Sequence, residues 1–131
     1  MAKTYPLISA MAEFLCFLAL VQGGSLLRFY PSEVALSSLI LAAHMLEEEQ
    51  LLTSEFLSQT LQSMSDALHE HEASLTKEDL KKRINACLAD LHEAHRASLT
   101  MPQKAVRTKY SHSKYFGIAN TECMDQAPQL E

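Results

Sequence analysis

Residues 31–45 read PSEVALSSLILAAHM, and this stretch decides the fold. Pro31 suits the first turn of a helix because its missing N–H would have no intrahelical partner there. Glu33 places a negative charge at the positive end of the helix dipole. Between residues 34 and 43 the only polar side chains are serines. Because a helix that is apolar on nearly every side is a buried helix, the stretch predicts the central helix of an all-α domain.

One side of this helix carries small residues, Ala35, Ser38 and Ala42, at positions i, i+3 and i+7. We expect other helices to approach closely along this stripe. Each larger aliphatic side chain on the other sides contributes roughly 1.5–3 kcal/mol when it is fully buried. These side chains are Leu36, Leu39, Ile40 and Leu41.

The bulk composition fits one globular domain of 131 residues. The formal net charge of −5 argues against a general nucleic-acid binder, since such proteins usually show a basic face. Cys16, Cys87 and Cys123 are widely scattered, which is not the pattern of a disulfide framework. They indicate reduced thiols and an intracellular protein.

The apolar run Phe14–Val21, preceded by Lys3, loosely resembles a signal peptide. Glu13 interrupts the apolar residues, Pro6 lies early, and no small-x-small cleavage site follows the run. The run is also far shorter than the roughly 18 residues that span a bilayer. The sequence therefore predicts no membrane partner.

Apolar residues recur at helical spacing in three further stretches. They predict helices over Pro6–Val21, Ser54–Leu68 and Asp79–Ala97, with a shorter helix from Pro102 to about Tyr110. The inward stripe of the first helix is Leu7, Met11, Phe14, Leu15, Leu18 and Val21. We expect residues 1–118 to form the domain and residues 119–131 to be a disordered tail.

Capping signals support these helices. Gly23 and Gly24 are expected to stop the first helix, and Thr53 or Ser54 can cap the next one. Thr76 is the predicted N-cap of the last long helix, with an acidic residue three positions later. Within that helix the acid-first spacing predicts two ion pairs, Glu78 with Lys82 and Asp79 with Arg83.

The first helix has a second apolar side, formed by Cys16, Phe17 and Leu20. A helix with two apolar faces needs two partners. We therefore predict that these three residues face a partner, which is another helix or domain.

No arrangement typical of catalysis is found, neither a glycine-rich phosphate loop nor G-x-S-x-G. His69 and His71 would point to different faces of a helix, and His92 and His95 lack the i, i+4 spacing of a zinc helix. We interpret these histidines as surface residues, and Cys87, within an apolar stripe, as a core residue. The sequence predicts a protein that is not an enzyme and uses no metal or cofactor.

Three stretches resemble the cyclins, in particular the mitotic A/B-type group. Leu27–Ala35, LRFYPSEVA, is similar to the segment L-x-Y-x-P-S-x-x-A-A that opens the central helix of the C-terminal cyclin box. Cys87–His92, CLADLH, resembles the last long helix of that box. Residues 103–117, QKAVRTKYSHSKYFG, resemble its closing segment Q-x-x-x-R-x-K-Y-x-x-S-K-Y-x-G.

The resemblance implies a cyclin box, a bundle of five helices around the third. Pro31–Met45 would be the third helix, Pro6–Val21 the second, Ser54–Leu68 the fourth and Asp79–Ala97 the fifth. On this count we expect the first helix of the box, and the whole N-terminal cyclin box, to be missing from the chain.

The resemblance also implies a regulatory subunit of a cyclin-dependent serine/threonine kinase that controls the mitotic cell cycle in the nucleus and cytoplasm. The kinase would be contacted mainly through the N-terminal box. Two alternatives stay open, a cyclin-fold interaction adaptor without kinase activation and an inactive truncated fragment. Arg96–Leu99 fits the R-x-x-L pattern of a destruction box, but it ends a predicted helix, so we interpret the match as chance.

Overall fold

A computed structural model describes residues 4–22, 24–70, 76–99, 105–112 and 117–130. The α-helices in these ranges are α1 Thr4–Gln22, α2 Pro31–Met45, α3 Ser54–Glu70, α4 Lys77–Ser98 and α5 Ala105–Ser111. Short 3₁₀ helices occupy Gly24–Arg28, Glu49–Leu51 and Ile118–Asn120. No strand occurs among the described residues. The predicted all-α bundle is confirmed, while the numbering of α1 as the second helix of a box stays a prediction.

The centre of the bundle is α2, which packs against α1 and α4, while α1 also contacts α4. The buried side chains of α2 are Glu33, Leu36, Ser37, Ser38, Ile40, Leu41, Ala42 and Ala43. Ser38 and Ala42 are buried as the small-residue stripe predicts, but Ala35 is exposed. The prediction of a central buried helix is therefore confirmed, although the stripe is shorter than expected.

Among the helices that pack against α2, α1 makes the most extensive contact. Its buried side chains are Ile8, Ala10, Met11, Phe14, Leu15, Leu18 and Ala19. Within the residues that the structure describes, no helix combines the length and the hydropathy needed to cross a membrane.

Local capping sets the beginnings of α3 and α4. Thr53, rather than Ser54, caps α3, because its Oγ1 accepts a hydrogen bond from the Phe56 N–H at 3.0 Å. At α4 the Thr76 hydroxyl accepts from the Asp79 N–H at 3.1 Å, and the Asp79 carboxylate accepts from the Thr76 N–H at 3.2 Å. The predicted N-cap at Thr76 is therefore confirmed.

The turn after α1 depends on glycine. Gly24 has φ +63°, the left-handed conformation in which a side chain would be strained. The glycine stop expected from the sequence is therefore present at this position.

Of the two histidines near the end of α3, the side chain of His69 and all of His71 lie outside what the structure describes.

The described part of the C-terminal segment lies against the bundle, where the sequence predicted a disordered tail over 119–131. Ile118 and Ala119 are buried. Further along, the carbonyl of Met124 accepts a hydrogen bond from His92 Nε2 at 2.5 Å. This difference arises because side chains of α4 donate hydrogen bonds to main-chain carbonyls of the segment. The composition of the segment does not reveal such contacts. The domain boundary at residue 118 stays a prediction.

Candidate partner-binding surface

Three large apolar side chains near the end of α1 are exposed. Phe17 is 37%, Leu20 72% and Val21 44% exposed. Their spacing of i, i+3 and i+4 places them on one face of the helix, which we name the α1 surface. Contiguous exposed apolar side chains are typical of interaction sites, so this surface is the candidate site for a partner.

The three residues predicted to face a partner do not share one environment. Cys16 donates a hydrogen bond from its thiol to Ser38 Oγ at 3.2 Å, which directs it towards α2. Phe17 and Leu20 lie on the α1 surface. The partner-facing role therefore stays a prediction for Phe17 and Leu20, and an internal contact accounts for Cys16.

Phe17 is partly covered from one side by α5. Its ring centroid lies 6.0 Å from that of Tyr110, and Lys109 Nζ lies 4.8 Å above it in a cation–π arrangement. Leu20, one turn further on, projects into solvent. An incoming partner would therefore desolvate Leu20 and Val21 fully while meeting a Phe17 that is already half covered.

Val21 belongs to the site although the sequence placed it on the inward stripe. Near its end, α1 turns a different residue towards α4, since Gln22 Nε2 donates to the carbonyl of Ala94 at 2.6 Å. That contact leaves Val21 on the solvent side. A rule based on regular spacing does not predict that a polar residue, here Gln22, takes the inward position at the end of a helix.

The 3₁₀ helix after α1 is tied to α4 by charge. Arg28 Nη2 pairs with Asp90 Oδ2 at 2.9 Å. The guanidinium carbon of Arg28 also lies 4.7 Å from the centre of the Phe29 ring. On α4, Arg83 donates hydrogen bonds to the carboxylate of Glu33, and these raise the pKa of Arg83, so this guanidinium stays charged. These contacts fix the segment that joins the α1 surface to the centre of the bundle.

The Cys87 thiol gives no sign of a nucleophile. Burial raises the pKa of Cys87 to about 11, and its Sγ lies 3.9 Å from the carbonyl oxygen of Glu33. A buried thiol with a raised pKa is unreactive, and the interpretation of Cys87 as a core residue is confirmed. Cys16 and Cys123 are free and half-buried.

Two of the histidines interpreted as surface residues are in fact buried, so that interpretation is wrong for them. His92 is covered by the C-terminal segment through its bond to Met124. His95 packs edge-on against Phe14, with ring centroids 6.0 Å apart. Across the described part of the chain, no three metal-binding side chains come together as a candidate metal site.

Comparison with known families identifies the fold. The sequence model of the family described as cyclin, C-terminal domain, matches residues 2–124. The match covers nearly the whole chain, and the bundle around α2 agrees with it. The chain therefore belongs to the cyclin C-terminal domain family, a family of regulatory domains. No solved structure matches the chain significantly.

Proposed function

We propose that this chain acts as a cyclin-like regulatory subunit of a cyclin-dependent serine/threonine kinase in the mitotic cell cycle. The family match over residues 2–124 carries the proposal. The resemblance of residues 103–117 to the closing segment of A/B-type cyclins supports the mitotic assignment.

The proposed mechanism is conformational. A cyclin binds beside the mobile αC helix of the kinase, so that the catalytic Lys–Glu pair forms and the activation loop becomes ordered. In this scheme the C-terminal box supports the box that contacts the kinase. The α1 surface suits that supporting role, because Leu20 and Val21 offer apolar area that a second helical unit would bury.

We place the protein in the nucleus and the cytoplasm, where its proposed kinase partner works. The chain as proposed needs no metal or cofactor, and binds neither nucleic acid nor membrane. The net charge of −5 supports the exclusion of nucleic acid.

A second candidate function is a cyclin-fold adaptor that binds another protein without activating a kinase. The exposed α1 surface favours this candidate equally, since an apolar face attracts a partner whatever the partner's chemistry. Activation of a bound kinase separates the two functions.

The test captures the endogenous protein with an antibody to residues 113–117 and measures its intact mass together with the co-purifying kinase activity. The proposal predicts that phosphotransfer activity co-purifies with the protein. A protein of 14.6 kDa that carries no such activity would favour the adaptor or an inactive fragment.

A matched pair of variants then assigns the surface. Leu20→Asp should reduce kinase capture at least tenfold, because a charge on the α1 surface opposes the packing of the helical unit through which the kinase is contacted. Leu27→Asp changes a leucine that is 74% exposed but lies outside α1, and it should leave capture unchanged. Equal loss in both variants would show that the α1 surface is not the contact.

A further inference from the structure

A groove opens between the end of α2, α3 and the first turns of α4, on residues that the α1 surface does not include. It encloses about 440 Å³. We name it the α3–α4 groove, and its lining includes Ile40, His44, Glu49, Leu57, Leu61, Lys77 and Lys81. The volume lies within the range of about 300–1,000 Å³ that is typical of binding pockets.

The chain's own C-terminal segment already sits at this groove. Leu130 lines it, and Asn85 on α4 binds both main-chain groups of that residue. Asn85 Oδ1 accepts from the Leu130 N–H at 2.7 Å, and Asn85 Nδ2 donates to the Leu130 carbonyl at 3.2 Å. A side-chain amide that pairs with both groups of one residue recognises a peptide backbone.

The same recognition continues along α4. His92 Nε2 donates to the carbonyl of Met124, and Arg96 Nη2 donates to the carbonyl of Asp125 at 3.0 Å. Asn85, His92 and Arg96 therefore all bind main-chain atoms of the segment. Contacts of this kind do not depend on the side chains of the bound segment, so a different peptide can satisfy them.

Leu130 fills the groove poorly. Its side chain is only half-buried, and about 440 Å³ stays open with the segment in place. An incoming segment with an apolar side chain that reaches further into the groove would bury more apolar area against Leu57 and Leu61. The internal segment is thus a ligand that a better-fitting one can displace.

The charge around the groove favours one kind of segment. Lys77 and Lys81 line its α4 side, and Glu49 also lines the groove. Lys77 Nζ donates to Ser58 Oγ at 2.8 Å, and Lys81 Nζ lies 3.5 Å from the exposed carboxylate of Glu78. In the chain's own sequence, Leu130 is followed by Glu131. An aliphatic residue followed by an acidic one therefore suits both the apolar wall and the two ammonium groups.

We propose that the α3–α4 groove is a docking site for a peptide segment of a partner protein, with an aliphatic anchor followed by an acidic residue. Gln129 and Leu130, at the end of the segment that α4 binds, occupy this site as an internal ligand until the partner segment displaces them. The proposal does not depend on kinase regulation.

The test uses fluorescence anisotropy with a labelled peptide of residues 121–131, TECMDQAPQLE, in which serine replaces Cys123. The full-length chain and its Leu130→Asp variant are titrated against this peptide. We expect the variant to bind the peptide at least tenfold more tightly than the unaltered chain, because a tethered segment competes at an effective concentration of about 1 mM. Adding Asn85→Leu to the variant should weaken the binding at least tenfold.

The controls change the peptide or a remote leucine. A peptide with aspartate in place of Leu130 should bind at least tenfold more weakly to the Leu130→Asp chain, and a Leu27→Asp chain should bind the original peptide as the unaltered chain does. If Leu130→Asp does not unfold cooperatively, Leu130→Ala takes its place.

Several results would overturn the proposal. Equal peptide affinity for the unaltered chain and the Leu130 variant would mean that the segment does not occupy the groove. If Asn85→Leu left the peptide affinity unchanged, Asn85 would not recognise the peptide backbone. A doubled mass of the unaltered chain in analytical ultracentrifugation, lost in the Leu130 variant, would make a second copy of this chain the occupant instead.

Discussion

Arg83 on α4 holds the buried carboxylate of Glu33 on α2 through two hydrogen bonds. Nε lies 2.6 Å from Oε2 and Nη2 lies 2.8 Å from Oε1. Glu33 Oε1 also accepts from the N–H of Tyr30 at 2.8 Å, and Arg83 Nη2 donates to the carbonyl of Arg28 at 3.3 Å. One ion pair therefore joins the beginning of the central helix, the segment before it and the longest helix of the bundle.

Replacing the arginine of this pair should lower the free energy of unfolding. Arg83→Met leaves the Glu33 charge buried without its partner, and we expect a loss of about 2–4 kcal/mol in the free energy of unfolding. The expected loss is smaller than for a fully buried pair, because the Arg83 side chain is one-third exposed. Urea unfolding followed by circular dichroism measures it.

The control is the ion pair between Lys81 and Glu78 near the beginning of α4, whose oxygen and nitrogen lie 3.5 Å apart and whose Glu78 side chain is 77% exposed. Lys81→Met should change the free energy of unfolding by less than about 0.5 kcal/mol. The double variant Glu33→Gln with Arg83→Met should recover part of the loss. A loss for Arg83→Met no larger than that for Lys81→Met would contradict the buried-pair account.

Asp79 predicts how stability depends on pH at the acidic end. Hydrogen bonds from the backbone and the side chain of Thr76 lower the pKa of Asp79 below its ordinary 3.8. A lowered pKa in the folded state contributes stability above pH 3.8, and this contribution is lost as the pH falls through the folded value. The stability gap between the unaltered chain and Asp79→Asn should therefore be constant above about pH 5 and close below pH 3.8. Urea unfolding at a series of pH values measures the gap. A gap that persists at pH 2 would contradict the contribution of the Asp79 carboxylate to stability.

Cys87 predicts a thiol that reacts only when the chain unfolds. A pKa of about 11 in place of 9.0 lowers its thiolate fraction at pH 8 about 100-fold, and burial blocks access as well. Pulsed alkylation with iodoacetamide, read by mass spectrometry, should label Cys16 and Cys123 before Cys87.

The raised pKa of Cys87 also makes the stability of the fold depend on pH. Because the unfolded thiol ionises first, stability should fall as the pH rises from 9 towards 11, and Cys87→Ala should lack this decrease. Labelling of Cys87 at the rate of the other two cysteines would contradict its burial.

The parts of the fold that depend on local patterns were predictable from the sequence. The apolar run of residues 31–45 predicted the central helix, and Thr76 with an acid at the third position predicted the beginning of α4. Both signals are contained within a few residues, and both are confirmed.

Contacts between distant residues were not predictable in this way. The i, i+4 rule paired Arg83 with Asp79, whereas the structure pairs it with Glu33, fifty positions away. His92 was interpreted as a surface residue because nothing in its neighbourhood shows that the segment around Met124 covers it. The orientation of Val21 depends in the same way on the contact of its neighbour Gln22 with α4.

The α1 surface predicts different outcomes for two neighbouring residues. Leu20→Ser should change the free energy of unfolding by less than about 0.5 kcal/mol, because the side chain is 72% exposed. Phe17→Ser should lose about 1–2 kcal/mol, since it removes the ring contacts with Tyr110 and Lys109. Thermal unfolding measures the losses, and polyethylene glycol precipitation should show raised solubility for both variants. A large loss of stability for Leu20→Ser would mean that Leu20 is packed within the chain and does not face a partner.

The hydrogen bonds between Asn85 and Leu130 predict protection of the Leu130 N–H from hydrogen exchange. The Leu130 N–H donates to the Asn85 side chain at 2.7 Å, and Met124 and Asp125 are bound by α4 further along. Asn85→Leu keeps the approximate size of the side chain but removes both hydrogen bonds, so exchange of the Leu130 N–H, read in the peptide that contains residues 125–130, should become at least tenfold faster. Gln62→Leu removes a hydrogen bond to Asp66 on the exposed side of α3 and should leave that exchange unchanged. Hydrogen–deuterium exchange read by mass spectrometry measures both variants. Rapid exchange of the Leu130 N–H in the unaltered chain would instead support the disordered tail that composition predicts, since the contacts with α4 would then be too weak to hold it.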